Sequence, residues 1–160
     1  MLTVERLREQ LLYTPERGEW FWRKAIRGRA AGTPAGCYTG GRHLIRIDGR
    51  LYKGYRLAFL YMLGRWPHVF ADHRDGNPLN GQWNNLRDAT RRQSAQNMGR
   101  RSHNKSGFKG VFWNKQANRW QARITYGGKQ RYLGQFDTAE EAYAKYCEVA
   151  ARAFGEFFRR

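Results

Sequence analysis

The distribution of charge limits what this chain can bind more than any other feature of the sequence. From Ala89 to Phe136 the sequence contains no Asp or Glu, while Lys, Arg and aromatic residues recur throughout the stretch. The whole chain has 30 Lys and Arg against 13 Asp and Glu, which gives a net charge of +17. Such an excess repels itself in a compact state unless a polyanion is bound, and a surface that serves solubility alone normally mixes both signs. The pattern predicts a protein that binds nucleic acid.

Length and cysteine content limit the number of domains and the kinds of metal site that we expect. The 160 residues suffice for one ordinary domain or two small ones. The two cysteines, Cys37 and Cys147, are far apart and no C-x-x-C pair occurs, so we expect reduced thiols and no structural zinc. No apolar run approaches ~18 residues and no signal-peptide pattern opens the chain, so we expect a cytoplasmic protein without a membrane partner.

The first seventy residues predict short helices and strands in alternation. The Asp48-Gly49 dipeptide is typical of a two-residue hairpin turn. Residues 24–41 are rich in Gly, Ala and Arg and predict a basic loop. The predicted elements are a helix over Thr3–Leu12 with Thr3 as its N-cap, a strand over Glu19–Arg23, strands over His43–Ile47 and Arg50–Tyr55, and a helix over Arg56–Leu63.

The middle of the chain predicts a strand, a turn and a longer helix. Val69–His73 is the strand, and Arg74–Pro78 carries the turn residues. Asn84 or Asn85 can cap a helix that runs to about Met98, since Asn85-x-x-Asp88 resembles a capping box.

The last third predicts a small unit of its own. Three strands are expected over Lys109–Trp113, Arg119–Tyr126 and Gln130–Phe136. Thr138-Ala139-Glu140-Glu141 is a capping box, and apolar residues then repeat at helical spacing to Phe154. The helix is expected to cover one face of the sheet.

Two motifs in the middle of the chain carry the chemistry. Asp72-His73 ends the predicted strand, and Asn84-Asn85-Leu86-Arg87 follows the turn, with Ala89-Thr90-Arg91 after it. Together they resemble the HNH endonucleases, in particular the phage homing-type branch, in which a two-stranded hairpin and a helix hold one divalent metal against the scissile phosphate. The resemblance implies that His73 is the general base, Asp72 a metal ligand, and Asn85 a residue that braces the hairpin or orients the base.

These residue types suit phosphodiester hydrolysis. A histidine titrates near neutral pH and can accept the proton of the attacking water. Aspartate is a hard oxygen ligand suited to Mg²⁺, with Mn²⁺ as the alternative ion. Successive side chains of a strand point to opposite faces, so Asp72 and His73 can serve one site only where the strand ends or bulges.

The second metal ligand departs from the family pattern. The family places His or Asn four residues after the Thr of this helix, and here that position is Ser94. A hydroxyl can bind Mg²⁺ directly or through water, although it is a weaker donor than imidazole for transition metals. Asn97, about 4.5 Å further along the helix axis, is the less favoured candidate.

Residues 106–160 resemble the DNA-binding domain of plant ethylene-response factors (the AP-two type), which also occurs appended to phage HNH endonucleases. Tyr132-Leu133-Gly134-Gln135-Phe136 and Thr138-Ala139-Glu140-Glu141 are the most specific part of the resemblance. It implies that a sheet face enters the major groove, and alternation places Arg119, Gln121 and Arg123 on one face. Trp120 is expected in the core beneath the sheet, while Trp113 suits either side.

Basic residues outside that strand complete the predicted DNA-binding set. Lys109 and Arg131 are expected to contact the DNA together with Arg119, Gln121 and Arg123. The remaining members are Arg91, Arg92, Arg100, Arg101, Lys105, Lys115 and Lys129, of which the linker residues Arg100, Arg101 and Lys105 are expected to follow the phosphate backbone. Near the N-terminus, phosphate contacts could come from Arg27, Arg29, Arg42 and Arg46.

The sequence as a whole predicts an α+β protein. We expect a ββα-metal (HNH) nuclease module with an N-terminal β-rich extension over residues 1–98, its motif core at about 69–98. A basic linker over 99–107 leads to a three-stranded antiparallel sheet packed on one helix over 108–160.

The resemblance implies an enzyme that nicks or cleaves double-stranded DNA by metal-dependent hydrolysis, of the homing type, leaving 5′-phosphate and 3′-hydroxyl ends. One catalytic centre in an expected monomer favours a nick. Ser94 favours an alternative, a sequence-specific DNA-binding protein with a degenerate HNH site. An RNA-binding protein fits the charge but not the nuclease spacing, and competition between duplex DNA and RNA separates it.

Overall fold

A computed structural model describes residues 2–25, 28–100 and 102–160. The chain forms two compact units, Met1–Arg91 and Arg92–Arg160. The sequence places the division later, in the basic stretch 99–107. The second unit begins earlier because Lys109 donates a hydrogen bond to the Gln96 carbonyl and Arg159 donates one to the Asn97 carbonyl.

The N-terminal unit opens with a short helix and a hairpin. Helix α1 (Val4–Gln10) begins after Thr3, whose hydroxyl accepts a hydrogen bond from the Arg6 N–H at 3.2 Å, as the sequence predicts. The helix ends two residues before the predicted Leu12, because the chain extends into strand β1 (Leu11–Thr14), which pairs with β2 (Glu19–Trp22).

A three-stranded antiparallel sheet and a helix follow. Strands β3 (Cys37–Thr39), β4 (Arg42–Ile47) and β5 (Arg50–Lys53) pair in chain order. The turn between β4 and β5 is Asp48-Gly49 as predicted, and both residues have positive φ, as a type I′ turn requires. β3 lies in the stretch predicted to be a loop. Helix α2 (Gly54–Leu63) ends at the left-handed Gly64.

The core of this unit joins α1, α2 and the two sheets. Its most buried side chains include Leu7, Leu11, Ile45, Leu57 and Phe59. Each element therefore contributes apolar residues to one shared cluster, which fixes the sheets relative to the helices within the unit.

The segment after α2 differs from the predicted helix. Strand β6 (Phe70–His73) pairs antiparallel with β7 (Leu86–Ala89), and a 3-10 turn at Trp83–Asn85 precedes β7. A helix, α3, covers only Arg91–Asn97. The prediction of one helix from Asn85 to Met98 was wrong, because cross-strand pairing outweighs the local capping pattern: the Asp88 carboxylate accepts from Arg65 and from the His68 N–H instead of capping a helix.

The C-terminal unit agrees closely with the sequence. Strands β8 (Val111–Asn114), β9 (Arg119–Tyr126) and β10 (Lys129–Phe136) form an antiparallel sheet with β9 in the centre. Helix α4 (Ala139–Phe154) follows, and Thr138 and Glu141 form both bonds of the predicted capping box. A 3-10 turn at Gly155–Phe157 ends the fold.

One face of this sheet packs on α4. Val111 and Ala122 form a buried cluster with Ala139 and Ala142 of the helix. Trp120 packs against this cluster, as predicted, while Trp113 stays partly exposed with its ring edge-on to Trp120 at 5.1 Å. The mixed helix and sheet content agrees with the predicted α+β class. No helix among the described residues combines the length and the apolar character that crossing a membrane requires.

A close backbone contact ties the first hairpin to the loop before β7. A Cβ at Gly18 would lie 2.2 Å from the Gly81 carbonyl carbon, and Gly18 has a φ of +72°. The Tyr13 hydroxyl donates to the Gly81 carbonyl at 2.6 Å, and the Trp83 N–H donates to the Pro15 carbonyl at 2.9 Å. Only glycine fits this approach.

We expect Gly18→Ala to lower the free energy of unfolding of the N-terminal unit by about 3 kcal/mol or more, because left-handed strain and backbone overlap add. Gly64→Ala is the matched control: its φ is +69° and nothing lies within 4 Å of the added Cβ, so only strain of about 1 kcal/mol is expected. Urea unfolding followed by tryptophan fluorescence measures both, and equal losses would contradict the contact.

Candidate functional site

Asp72 and His73 are the last two residues of β6. Both are buried, with 6% and 8% of their surfaces exposed. Asp72 lies directly opposite Arg87 in the pairing with β7, and beyond His73 the chain turns, with the Gly76 N–H on the His73 carbonyl at 2.9 Å. The strand end that allows two successive side chains to serve one site is therefore present.

Asp72 forms a buried ion pair across the hairpin. Both the Nε and the Nη2 of Arg87 lie on the same carboxylate oxygen of Asp72, at 3.0 and 2.9 Å. Removing either partner of such a pair would leave the other charge buried and poorly solvated, so loss of either side chain should strongly destabilise the fold. The ion pair also fixes the orientation of the Asp72 carboxylate.

The surroundings of His73 favour the neutral form of its imidazole. Burial lowers its pKa, and the carboxylates of Asp75 and Asp72 offset only part of that effect. The ring of Tyr55 packs edge-on against it, with 4.8 Å between the ring centres. A neutral imidazole has a nitrogen lone pair at neutral pH and can accept a proton.

Asn85 joins the two ends of the loop between β6 and β7. Its side-chain carbonyl accepts from the Asp75 N–H at 3.0 Å, and its amide nitrogen donates to the Asp75 carboxylate at 3.0 Å and to the Asn80 carbonyl at 2.9 Å. The side chain is 7% exposed. The bracing that the resemblance implies is thus visible in the hydrogen bonds, while any part of Asn85 in the reaction stays a prediction.

Asp75 and two further asparagines order the rest of the loop. The Asp75 carboxylate accepts from the Asn77 N–H at 2.8 Å and from the Asn80 amide at 2.7 Å. Partial burial opposes ionisation, but these bonds and the one from Asn85 outweigh it, so the pKa of Asp75 lies below its ordinary value. The Asn77 and Asn80 side chains each accept a backbone N–H two residues on, which stabilises successive turns.

The possible metal donors are divided between the two units. Ser94 is half-buried in α3 and Asn97 is buried at its end, both in the C-terminal unit, whereas Asp72 belongs to the N-terminal unit. Across residues 2–25, 28–100 and 102–160, no group of three or more His, Cys, Asp or Glu side chains is placed to hold a metal ion. Mg²⁺ needs only one or two carboxylates with other oxygen ligands and water, so this donor chemistry fits Mg²⁺ better than an ion that prefers N and S ligands.

The second face of the β8–β10 sheet is not covered by α4. The register places on it side chains that are polar, aromatic or cationic. We call this the open face, and it consists of Phe112, Asn114, Arg119, Gln121, Arg123, Thr125, Gln130, Tyr132 and Gln135. Arg119, Arg123 and Tyr132 are exposed, whereas Gln121, in the centre between Phe112 and Gln135, is 9% exposed. Arg119 contacts Asp137 at 3.1 Å on the surface.

The other cations of the predicted DNA-binding set differ in their environments. Lys109 is half-buried and its ammonium donates to the carbonyls of Gln96 and Met98 at 2.6 and 2.5 Å; burial, with the nearby Arg159, lowers its pKa to about 8. This amine therefore stabilises the end of α3, which the sequence does not predict. Arg131 stacks over Tyr126 at 4.3 Å. Exposed members are Arg91, Arg92, Arg100, Lys105, Lys115 and Lys129, and Arg27 and Arg101 lie outside the described residues.

Sequence reasoning missed three residues of the hairpin. Arg87 entered only as part of a motif, Asp75 only as a turn residue, and Asn80 not at all. Yet Arg87 holds Asp72, and Asp75, which accepts from the Asn80 amide, holds Asn85. A register that sets an acid opposite an arginine would have indicated the first. The loop bonds depend on a three-dimensional turn and leave no comparable periodic signal.

Sequence comparison with known proteins finds a family match over the segment that contains the β6–β7 hairpin. Residues 52–96 match the sequence model of the HNH endonuclease family. Protein 3.8 of Escherichia phage T7 is 39% identical over 71 residues, which is 44% of this chain and 59% of the phage protein. A protein of Acanthamoeba polyphaga mimivirus named Uncharacterized HNH endonuclease L560 is 33% identical over 103 residues, 62% of this chain and 52% of that protein. The chain thus spans little more than half the length of these relatives. No solved structure matches.

We expect Arg87→Met to lower the free energy of unfolding by about 3 kcal/mol or more, since it strands the buried Asp72 carboxylate. The matched control is Arg65→Met, which removes the partner of Asp88 on the same hairpin. That pair is partly exposed, so the expected loss is under about 1 kcal/mol. The double variant Asp72→Asn/Arg87→Met should recover part of the loss. Urea unfolding measures all three, and equal losses for the two single variants would contradict the assignment.

Proposed function

We propose that this chain is a DNA endonuclease of the homing type, which nicks or cleaves duplex DNA by metal-dependent hydrolysis of phosphodiester bonds. The observation that supports this most directly is the buried His73 beside Asp72 at the end of a braced strand. The hairpin lies within the segment that matches the HNH endonuclease family, and a nuclease of that family acts on DNA.

His73 acts as the general base in this proposal. Hydrolysis requires a group that removes a proton from the attacking water, and a neutral imidazole near physiological pH can do so. The Asn85 and Asp75 bonds fix the loop that follows His73, so the ring is positioned by a rigid hairpin rather than a mobile one.

Asp72 is the proposed carboxylate ligand of the divalent ion, for which we favour Mg²⁺ over Mn²⁺. Ser94, and less strongly Asn97, are the proposed oxygen donors from α3. The bound ion would neutralise charge on the phosphate during hydrolysis. Arg87 acts as a positioning residue, because it holds one oxygen of the Asp72 carboxylate.

The open face is the proposed sequence-reading surface. It carries Arg119 and Arg123 with amide and aromatic side chains and includes no carboxylate among its described members. A sheet can enter the major groove, where arginine contacts guanine bidentately. Arg123 also lines a cavity of about 320 Å³ together with Arg92 of α3.

We expect Arg123→Gln to remove part of the sequence preference that the full chain shows when it selects duplexes from a random library. A bidentate base contact contributes about 1–3 kcal/mol of discrimination, so the enriched sequence should lose at least one position. Lys129→Gln is the matched control: loss of an exposed cation that reaches phosphate weakens binding to all sequences alike. An identical enriched sequence for Arg123→Gln would exclude base reading by this residue.

The decisive experiment is conversion of supercoiled plasmid to nicked or linear DNA in the presence of Mg²⁺. We expect cleavage by the unaltered chain and a loss of at least about 100-fold in rate for His73→Ala, the contribution of a general base. His68→Ala changes an exposed histidine of the same unit and should cleave at the original rate. Equal rates for His73→Ala and the unaltered chain would remove His73 from the chemistry.

A sequence-specific DNA-binding protein with a degenerate site is the second candidate. Ser94 in place of the family's His or Asn, together with the engagement of Asp72 by Arg87, favours it. It predicts salt-sensitive binding to duplex DNA without cleavage in any divalent metal. The plasmid assay therefore separates the two candidates, and stronger competition by RNA would exclude both.

A further inference from the structure

The N-terminal unit has a cationic sheet face that the proposed nuclease and reading surfaces do not use. In the β3–β5 sheet, Thr39 lies opposite Arg42, and Arg46 lies opposite Leu51. The opposite face is directed to the core, where Ile45 is fully buried. We call the exposed side the outer face, and it consists of Cys37, Thr39, Arg42, Leu44, Arg46, Leu51 and Lys53.

A groove of about 730 Å³ runs along this face. Arg29 and Arg46 line it, together with Arg6 from α1. Asp48 is the one carboxylate among the described lining residues, and Arg6 holds both of its oxygens at 2.8 and 3.1 Å. Arg6 thus balances the charge of this acid at the surface, and the remaining charge of the groove is positive.

The arginines of the outer face and of its groove are accessible and partly ordered. Arg29, Arg42 and Arg46 are exposed, and Arg46 donates to the Gly49 carbonyl at 2.9 Å, which holds its guanidinium over the β4–β5 turn. The turn between Thr39 and Arg42 consists of two glycines, so no side chain at the turn keeps a DNA backbone away from the strand ends. Leu51 is the one largely exposed apolar side chain of the face, which does not favour insertion into lipid.

We propose that the outer face and its groove form a second DNA-binding surface, which takes the phosphate backbone of duplex DNA through Arg42 and Arg46 of the face and Arg29 of the groove. The proposal rests on the proposed function only in that the partner is DNA. The surface would position the duplex without reading its sequence, since guanidinium groups spread over a sheet neutralise phosphates whatever the bases.

The first measurement is the salt dependence of duplex binding by the full chain in EDTA. Arg42→Gln/Arg46→Gln should reduce the slope of log affinity against log salt by about 1.8, or 0.9 for each lost phosphate contact. Arg17→Gln/Arg152→Gln removes the same charge from exposed positions outside this face and should leave the slope unchanged. An equal slope for the two double variants would overturn the proposal.

The second measurement needs no substitution. Cys37 is exposed on the outer face and Cys147 is buried in the C-terminal unit, so a maleimide should label Cys37 selectively. We expect duplex DNA to slow this labelling severalfold. Labelling at the same rate with and without DNA would overturn the proposal, as would protection by phosphatidylserine vesicles with none by DNA.

The two proposals fail in different ways. A chain that binds duplex DNA with the expected slope and protects Cys37, but does not cut plasmid, would lose the nuclease and retain this surface. If Arg42→Gln/Arg46→Gln cuts plasmid and its affinity depends on salt as in the unaltered chain, the nuclease proposal would stand and this surface would be lost.

Discussion

The buried ion pair between Asp72 and Arg87 links the fold of the hairpin to the chemistry proposed for it. It forms only in the register that sets the two residues opposite each other, and that same register brings His73 to the strand end. A shift by one residue would place both charges on the wrong faces and remove the pairing. Strand register, carboxylate orientation and the position of the imidazole are therefore consequences of a single arrangement. The arginine has a second effect, because it occupies part of a carboxylate that the proposed metal also needs.

The charges of the molecule are separated by role. Around the hairpin, acids are matched to specific partners, as in Asp72 with Arg87 and Asp88 with Arg65. The open face and the outer face instead carry arginines on an antiparallel sheet with no described carboxylate among their members. Buried or partly buried ion pairs hold positions, whereas a local excess of exposed cations over acids attracts a polyanion over a distance. The net charge of +17 thus reflects surfaces whose counter-charge would be supplied by the partner.

Local signals allowed much of the fold to be predicted from the sequence. The limits of β9, the Asp48-Gly49 turn and the Thr138 capping box depend on neighbouring residues, so their patterns are directly visible. The helix expected after Asn85 was wrong because β7 is stabilised by residues of β6 that lie far away in the sequence. The candidate site divides in the same way: adjacent Asp72 and His73 stand out, while the roles of Arg87 and Asp75 arise from contacts across a turn. Which residues complete a metal site is a question of long-range geometry that neither motif encodes.

The contact between Gly18 and Gly81 limits how the β6–β7 hairpin can be transferred to another protein. The matched segment begins at residue 52, yet the loop that Asn85 braces rests on backbone and a tyrosine hydroxyl contributed before residue 20. A fragment cut at the family boundary would expose Gly81 and lose the carbonyl that receives the Trp83 N–H. The smallest portable unit that keeps this loop in place would accordingly need to retain the first hairpin, and insertions at the tip of that hairpin would displace the loop beside His73.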